Sequence, residues 1–431
     1  MLKRPLDDWL NYQQTLHSRG IDLGLERVRS VAQRLGEKIL RPASVVITVG
    51  GTNGKGSTVA FLSSMLRANG LRIGCYTSPH LLRYNERIQI DGIEISDEEL
   101  IDAFECIESA RGSTPLTYFE FGTLAALYIF SKKNLNVVIL EVGLGGRLDA
   151  VNIVDADCAI VTTVDLDHQE YLGKDRESIA YEKAGIFRAH RPAVIAELDP
   201  PDTLLKEAQR IGAIPVCAGR EYTLEPLSPQ WQWRHIDGEI LKLPQPCLSA
   251  PCQISNASAA IMALYAMREK IPWNLDAILH GVEQANLPGR LQYFSGFSGE
   301  IDLIVDVAHN PQAAATLAAW LKQHPIQGCT HVVFSALADK DIPGIVTPLR
   351  SLIDYWHLGG LIDQTPRGLA ATNLADVLKN YLDLAAATCY DTVSVALSGA
   401  FRGAKPGDRI LAFGSFYVVA VALEWMNTQE I

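Results

Sequence analysis

Gly50-Gly51-Thr52-Asn53-Gly54-Lys55-Gly56-Ser57-Thr58 sets one lysine inside a glycine-rich run, between the β-branched residues 45–49 and the helix-compatible residues 57–68. A strand, a glycine loop and a helix start in that order form a phosphate cradle. The glycines let backbone amides approach oxygens, the helix N-terminus favours negative charge, and Lys55 adds a point charge. Thr52, Asn53, Gly54, Lys55, Gly56 and Ser57 are the candidate nucleotide contacts. The strict P-loop pattern is not met, because Val49 stands where its first glycine should fall and Gly56 follows Lys55. A chance glycine turn is the bland alternative; the lysine in place and the two hydroxyl residues after it favour phosphate. Glu141 follows the apolar run Val137-Val138-Ile139-Leu140. A carboxylate at the carboxyl end of a parallel strand is placed to meet a ligand, and magnesium prefers such hard oxygens. Gly143-Leu144-Gly145-Gly146 lacks the third glycine of a dinucleotide fingerprint, since position 148 is leucine, and this disfavours a dehydrogenase.

The elements that must position these groups read as an α/β chain. After residues 45–49, short apolar runs recur at residues 72–76, 137–140, 159–164, 193–196 and 214–217, with helix-like stretches between most of them. Leu6, Trp9 and Leu10, then Leu25, Val28, Val31, Ala32 and Leu35, suit helices resting on that body. Ser96 and Glu99 form a capping box, and hairpins are expected at Asp91-Gly92 and Asp237-Gly238. The helical pattern breaks at Leu287-Pro288-Gly289-Arg290, and alternation restarts at residues 301–307, 330–335, 355–358 and 409–413. Two domains follow, 1–287 and 288–431, the second smaller and doubly wound, with ligands expected in a cleft between them.

The chain has 431 residues, 48% of them hydrophobic and 20% charged, which is globular composition with room for two or three cores. Lys and Arg number 38 against 49 Asp and Glu, giving a net charge of −11. That sign disfavours nucleic acid or an anionic membrane as a partner, and any anionic substrate must meet local positive groups. Eight cysteines without a Cys-x-x-Cys pair argue against a disulfide scaffold; Cys247 and Cys252 have no nearby histidine, so buried free thiols are expected rather than a zinc site. The opening run reaches Asp7 and Asp8 before any apolar stretch that could serve as a signal peptide. The most apolar long window, residues 410–426, splits into a short strand and a helix and is too short to span a bilayer. A cytoplasmic monomer is expected.

Gly51-Thr52-Asn53-Gly54-Lys55-Gly56-Ser57 is followed by Thr77-Ser78-Pro79-His80-Leu81, Asn85-Glu86-Arg87-Ile88, residues 141–150, Leu166-Asp167-His168, Glu182-Lys183-Ala184-Gly185-Ile186-Phe187, Leu287-Pro288-Gly289-Arg290 and Asp306-Val307-Ala308-His309-Asn310-Pro311. Motifs in this order and spacing resemble folylpolyglutamate synthase of the Mur ligase superfamily, from residue 45 to the chain end. Within it the chain is most similar to the bifunctional bacterial type that also acts as dihydrofolate synthase. The resemblance implies a larger N-terminal P-loop ATPase-like Mur ligase central domain and a smaller Rossmann-like C-terminal domain. The implied reaction is ATP-dependent addition of L-glutamate to dihydropteroate and to reduced folates through an acyl phosphate.

The resemblance also assigns roles. Ser78, Glu141 and His168 become the magnesium-site residues, for two ions; alone, His168 would read as an exposed histidine and Ser78 as a turn hydroxyl. Lys183 matches a lysine that is carbamylated in members of the family, whereas beside Glu182 it reads as a surface ion pair. Asn256, Arg290 and Asp306 are implied nucleotide contacts. Asn256 could otherwise be an N-cap, and Arg290, at the hinge, would reach phosphate when the domains close. His309 is implied to be important for activity, orienting the amine or the acyl phosphate. Thr117, Tyr118, Phe119 and Glu120, with Leu148, Asp149 and Ala150, match stretches that contact dihydropteroate; Phe121 reads as helix core. Asp339-Lys340-Asp341 and Ser415 are weaker candidates for the glutamate site. The rival readings are another Mur-type amino-acid ligase and a non-catalytic P-loop ATP-binding switch.

Overall fold

The computed structural model describes residues 4–298 and 300–429, so Met1 to Lys3 of the opening run lie outside it. The chain forms two compact units, one of Met1–Cys247 with Gln253–Asn286 and one of Leu248–Cys252 with Leu287–Ile431. Residues 248–252 thus join the second unit although the chain around them belongs to the first.

The first unit is built on an eight-stranded sheet. Its strands are β1 (Val45–Gly50), β2 (Ile73–Tyr76), β3 (Ile88–Ile90), β4 (Ile93–Glu94), β5 (Val137–Glu141), β6 (Cys158–Val161), β7 (Pro192–Ile195) and β8 (Ile214–Cys217), in spatial order β4-β3-β2-β5-β1-β6-β7-β8. β2, β5, β1, β6, β7 and β8 run parallel, and β3 and β4 add antiparallel at one edge. Every residue of β1 is buried, as a strand covered by helices on both faces requires. Trp9 of α1 (Leu6–Thr15) and Val28 and Val31 of α2 (Glu26–Leu35) join one core with Phe104 of α4 (Asp97–Arg111) and Phe121 of α5 (Tyr118–Lys132). Phe121 is fully buried, 5.6 Å from Phe104, and is core as read from sequence.

The expected hairpin at Asp237-Gly238 is there, joining β10 (Gln230–His235) to β11 (Ile240–Leu243). β9 (Tyr222–Leu227) adds a third strand that the sequence reading missed. Pro226 sits within β9, and proline demotes such a run unless the strand is an edge, which β9 is.

The second unit has a six-stranded sheet of β12 (Gln292–Ser298), β13 (Ile301–Asp306), β14 (Thr330–Phe334), β15 (Tyr355–Gly359), β16 (Ala387–Tyr390) and β17 (Arg409–Phe413), ordered β12-β13-β17-β14-β15-β16. All neighbours are parallel except β12, which pairs antiparallel with β13 through a bulge between Phe294 and Ser298. The apolar window near the chain end is strand β17 and then the helix Phe416–Gln429. Among the described residues no helix is long and apolar enough to cross a membrane. Cys247 and Cys252 correct the thiol expectation: both are free but exposed, and the buried thiols are Cys75, Cys158 and Cys217.

Candidate active site

The glycine run leaves β1 and turns directly into α3 (Lys55–Ala68), whose N-cap is Gly54 at φ 87°. The turn is stitched to the segment after β6. Thr52 N–H donates to the Thr163 carbonyl (2.7 Å), Asn53 N–H to Thr163 Oγ1 (3.0 Å), and Thr162 Oγ1 to the Asn53 carbonyl (2.6 Å). A Cβ at Gly51, where φ is 145°, would lie 1.8 Å from Thr162 Oγ1, so only glycine allows this approach. Lys55 Nζ folds back onto the carbonyls of Gly51 (3.0 Å) and Thr52 (3.2 Å). Thr162 and Thr163 are supporting residues that the sequence reading missed, since two threonines after a strand carry no motif.

Asn256 lies inside the helix Gln253–Ala266 and is not its N-cap. It is buried, donates to Gln253 Oε1 (3.0 Å), and its Oδ1 would be 2.4 Å from a Cβ on Gly54. It is therefore pressed against the phosphate loop within the first unit.

Glu141 ends β5 almost fully buried, and the Ser78 N–H donates to its Oε2 (3.1 Å). The pairing of β2 with β5, with Tyr76 opposite Leu140, brings these two groups together. His168 stands at φ 50° before the one-turn helix Gln169–Leu172, its N–H donating to Asp167 Oδ1 (2.9 Å). Among the described residues no three His, Cys, Asp or Glu side chains form a metal cage. A buried carboxylate on Glu141, with the Ser78 backbone against it, fits an ion that keeps several waters and completes its shell on phosphates, as magnesium does.

Lys183 overturns its surface ion-pair reading. It is 3% exposed, and Glu182 instead pairs with Arg147 (2.7 Å). Burial, aided by the charge of Lys55 and opposed by Asp167, pulls the Lys183 amine down to about 7. The loop after β5 seals it: a Cβ at Gly146 would sit 2.8 Å from the Glu182 carbonyl.

The acceptor-side candidates divide. Thr117 and Glu120 form the capping box of α5, and Glu120 also pairs with Arg27 (3.1 Å), so both are committed to holding that helix start. Tyr118 and Phe119 are presented by it, half-buried. Tyr118 meets Tyr84 edge-on at 5.6 Å, and Phe119 lies where a Cβ on Gly143 would be 2.6 Å from its Cζ. Ala150 is buried and Leu148 half-buried on the same loop. Asp149 is buried and accepts from the Leu144 N–H (2.8 Å) and the Val151 N–H (3.0 Å). Burial raises its carboxyl to about 6, against the pull of those amides and of Lys55. The native carboxyl thus holds a proton between pH 3.8 and about 6 that an ordinary aspartate would have lost. Asp149→Asn keeps the volume but turns an NH2 toward one of two backbone donors. We expect a KM for the pterin acceptor raised about 10-fold with ADP affinity unchanged, read by steady-state kinetics and calorimetry. An unchanged acceptor KM would release Asp149 from this role.

In the second unit, Asp306 ends β13 half-buried, accepting from the Leu291 N–H (2.8 Å) and the Ala308 N–H (2.8 Å). Burial raises its carboxyl, opposed chiefly by the charge of Arg290. The Arg290 guanidinium lies 5.6 Å from the Phe416 ring, and the His309 ring packs on the same phenyl at 5.9 Å. His309 Nδ1 is 2.8 Å from the Val307 carbonyl, which orients the ring just before the Asn310-capped helix Pro311–Gln323. The sequence reading missed Phe416, because its place beside Arg290 and His309 depends on β13 and β17 being neighbours. The weaker glutamate-site candidates are structurally engaged: Asp339 binds Arg367 through both oxygens (2.7 Å each), Asp341 caps a helix at Gly344, and Ser415 is buried with its Oγ accepting from Val418.

Comparison with known proteins places both parts of the chain in one family. Residues 49–264 match the Mur ligase middle domain and residues 289–416 the Mur ligase glutamate ligase domain. The chain is 45% identical over 426 residues to the dihydrofolate synthase/folylpolyglutamate synthase of Escherichia coli, covering 99% of this chain and 96% of that one. It superposes on E. coli FolC in complex with DHPP and ADP with a TM-score of 0.92 at 44% identity, covering 99% of both chains. A bifunctional folylpolyglutamate synthase/dihydrofolate synthase with Mn, AMPPNP and L-glutamate bound gives 0.89 at 43% identity, covering 99% of this chain and 98% of that one. The chain belongs to the dihydrofolate synthase/folylpolyglutamate synthase family of Mur ligases.

Proposed function

We propose that this protein is an ATP-dependent acid–amino-acid ligase that joins L-glutamate to dihydropteroate, forming dihydrofolate, and to reduced folates, extending their glutamate chain. The observation that carries it is the position of Lys55. Its charge acts on both Asp149 of the acceptor-side loop and the buried Lys183, so phosphate loop, acceptor loop and Lys183 share one electrostatic field. A carboxylate oxygen of the acceptor attacks the γ-phosphorus of ATP, ADP leaves, and the acyl phosphate is then attacked by the glutamate amine, releasing inorganic phosphate and a proton.

Lys55 and the amides at the start of α3 hold phosphate oxygens during the transfer. Ser78, Glu141 and His168 would hold a divalent ion, which when bound neutralises charge on the phosphates. Tyr118 and Phe119 offer aromatic surface to a flat heterocycle. In the second unit, Arg290 and Asp306 are the proposed nucleotide contacts and His309 orients the incoming amine. Lys183 is the proposed site of carbamylation.

The test is a product assay with purified protein, ATP, magnesium and glutamate, offering dihydropteroate or a reduced folate. We expect ADP release that requires both acceptor and glutamate. ATP turnover indifferent to either would mark a P-loop switch, and stimulation only by a cell-wall precursor would mark a different Mur-type ligase.

A further inference from the structure

Arg87 ends the 3-10 turn Tyr84–Arg87 and leads into β3, and only 8% of it is exposed. Among the described residues no carboxylate lies within ion-pair distance of it. Its sequence neighbour Glu86 is turned away, accepting from the N–H groups of Leu81 (2.7 Å), Leu82 (2.7 Å) and Arg83 (2.6 Å). The guanidinium is held by neutral groups instead. Nε donates to His80 Nδ1 (2.8 Å), and the cation lies 5.2 Å from the Tyr84 ring centre and 5.6 Å from that of Tyr118. The Tyr76 hydroxyl faces it as well.

A cation taken out of water without a counter-charge is costly, and aromatic faces offset only part of that cost. Such a group, with its fork of donors pre-set by packing, is arranged to receive an anion. Its place says which anion. Tyr76 ends β2 opposite Leu140, one residue before Glu141, while Tyr118 opens α5 on the acceptor side. Arg87 therefore joins the loop that carries Ser78 to the helix start that carries the acceptor-side aromatics. We propose that Arg87 receives the carboxylate of the pterin acceptor, the group that is phosphorylated, and so selects acceptors by that charge. This rests on the ligase reading above and adds a residue to it. Lys55 serves the phosphates; Arg87 fixes the nucleophile, holding the carboxylate plane so that one oxygen is free to attack phosphorus.

Calorimetry with dihydropteroate and with its carboxamide analogue tests this, on the wild type, Arg87→Gln and Arg87→Lys, with ADP affinity as the check on folding. The wild type should prefer the acid by about 10- to 100-fold, the strength of a charge-assisted pair. Arg87→Gln should bring acid and amide within about 3-fold of each other, and Arg87→Lys should fall between, because an ammonium cannot match both oxygens. Equal wild-type affinities, or an undiminished preference in Arg87→Gln, overturn the assignment. Should Arg87→Gln lose ADP binding as well, Arg87→Lys decides, and a preference equal to wild type overturns it. A wild-type protein that binds neither pteroate overturns the ligase reading and this assignment together.

Discussion

Lys55→Ala should lower kcat/KM for both dihydropteroate and reduced folate by about 1,000-fold or more, the scale seen when a preorganised charge at a transferring phosphoryl group is removed. The geometry separates this loss from a folding defect. Lys55 Nζ donates to the Gly51 and Thr52 carbonyls, whereas the loop backbone is held independently by Thr162, Thr163 and the pressed contact of Gly54 with Asn256. The loop and its amides should therefore survive the substitution, and ADP affinity should fall far less than turnover, by about 10-fold. ADP release in a coupled assay and calorimetric ADP binding give the two numbers. Equal losses in both would mean that Lys55 only binds the nucleotide and does not act on the transition state.

The same residue shows which features of the fold and site are legible in the amino-acid sequence. The phosphate loop is legible because its chemistry is local: glycine, lysine and helix start are contiguous, and backbone sterics make them informative. Most of the parallel strands are legible for a similar reason: β1, β2, β5, β6, β14 and β17 are short, mainly apolar runs buried on both faces. What escapes depends on strands meeting in space. Thr162 and Thr163 support the loop only because β6 lies beside β1, and Phe416 reaches Arg290 and His309 only because β17 lies beside β13. β9, β12 and β16 escape because a proline, a bulge at a glycine, and a four-residue edge each blur the period on which strand reading relies. Asn256 suggests a helix cap by its residue type, and the helix in fact starts three residues earlier, which turns its amide to Gly54. Thr117 and Glu120 match an acceptor motif, yet their side chains close the helix cap that presents Tyr118 and Phe119. A motif can mark a site through the residues that support it as well as those that touch the ligand.

Lys183 carries the second large effect, and its direction follows from burial. An ordinary lysine near 10.5 is neutral at pH 7 in only about one molecule in 3,000, but at about 7 roughly half of the amines are neutral. Only the neutral amine attacks carbon dioxide: the N–C bond forms as one C=O π bond opens onto oxygen, the nitrogen gives up one proton, and a carbamate anion replaces the neutral amine. The modification should therefore proceed at neutral pH at this lysine, and its extent should rise as pH is raised through about 7. An anion there would also relieve the repulsion that Lys55 exerts on an ammonium. In the unmodified protein the same depressed pKa makes the unfolded state hold more protons between about 7 and 10.5, so this residue's contribution to stability rises with pH across that window. We expect Lys183→Ala to lower kcat by about 100-fold or more, with partial rescue by a small added carboxylate that re-supplies the negative charge. Protein freed of bicarbonate should regain activity when bicarbonate is returned, faster at pH 8 than at pH 6. A 13C carbamate resonance should appear in wild type given 13C-bicarbonate and be missing in Lys183→Arg. Full activity without bicarbonate, together with no such resonance, would leave Lys183 as a plain buried amine whose neutrality serves the packing of the loop over it.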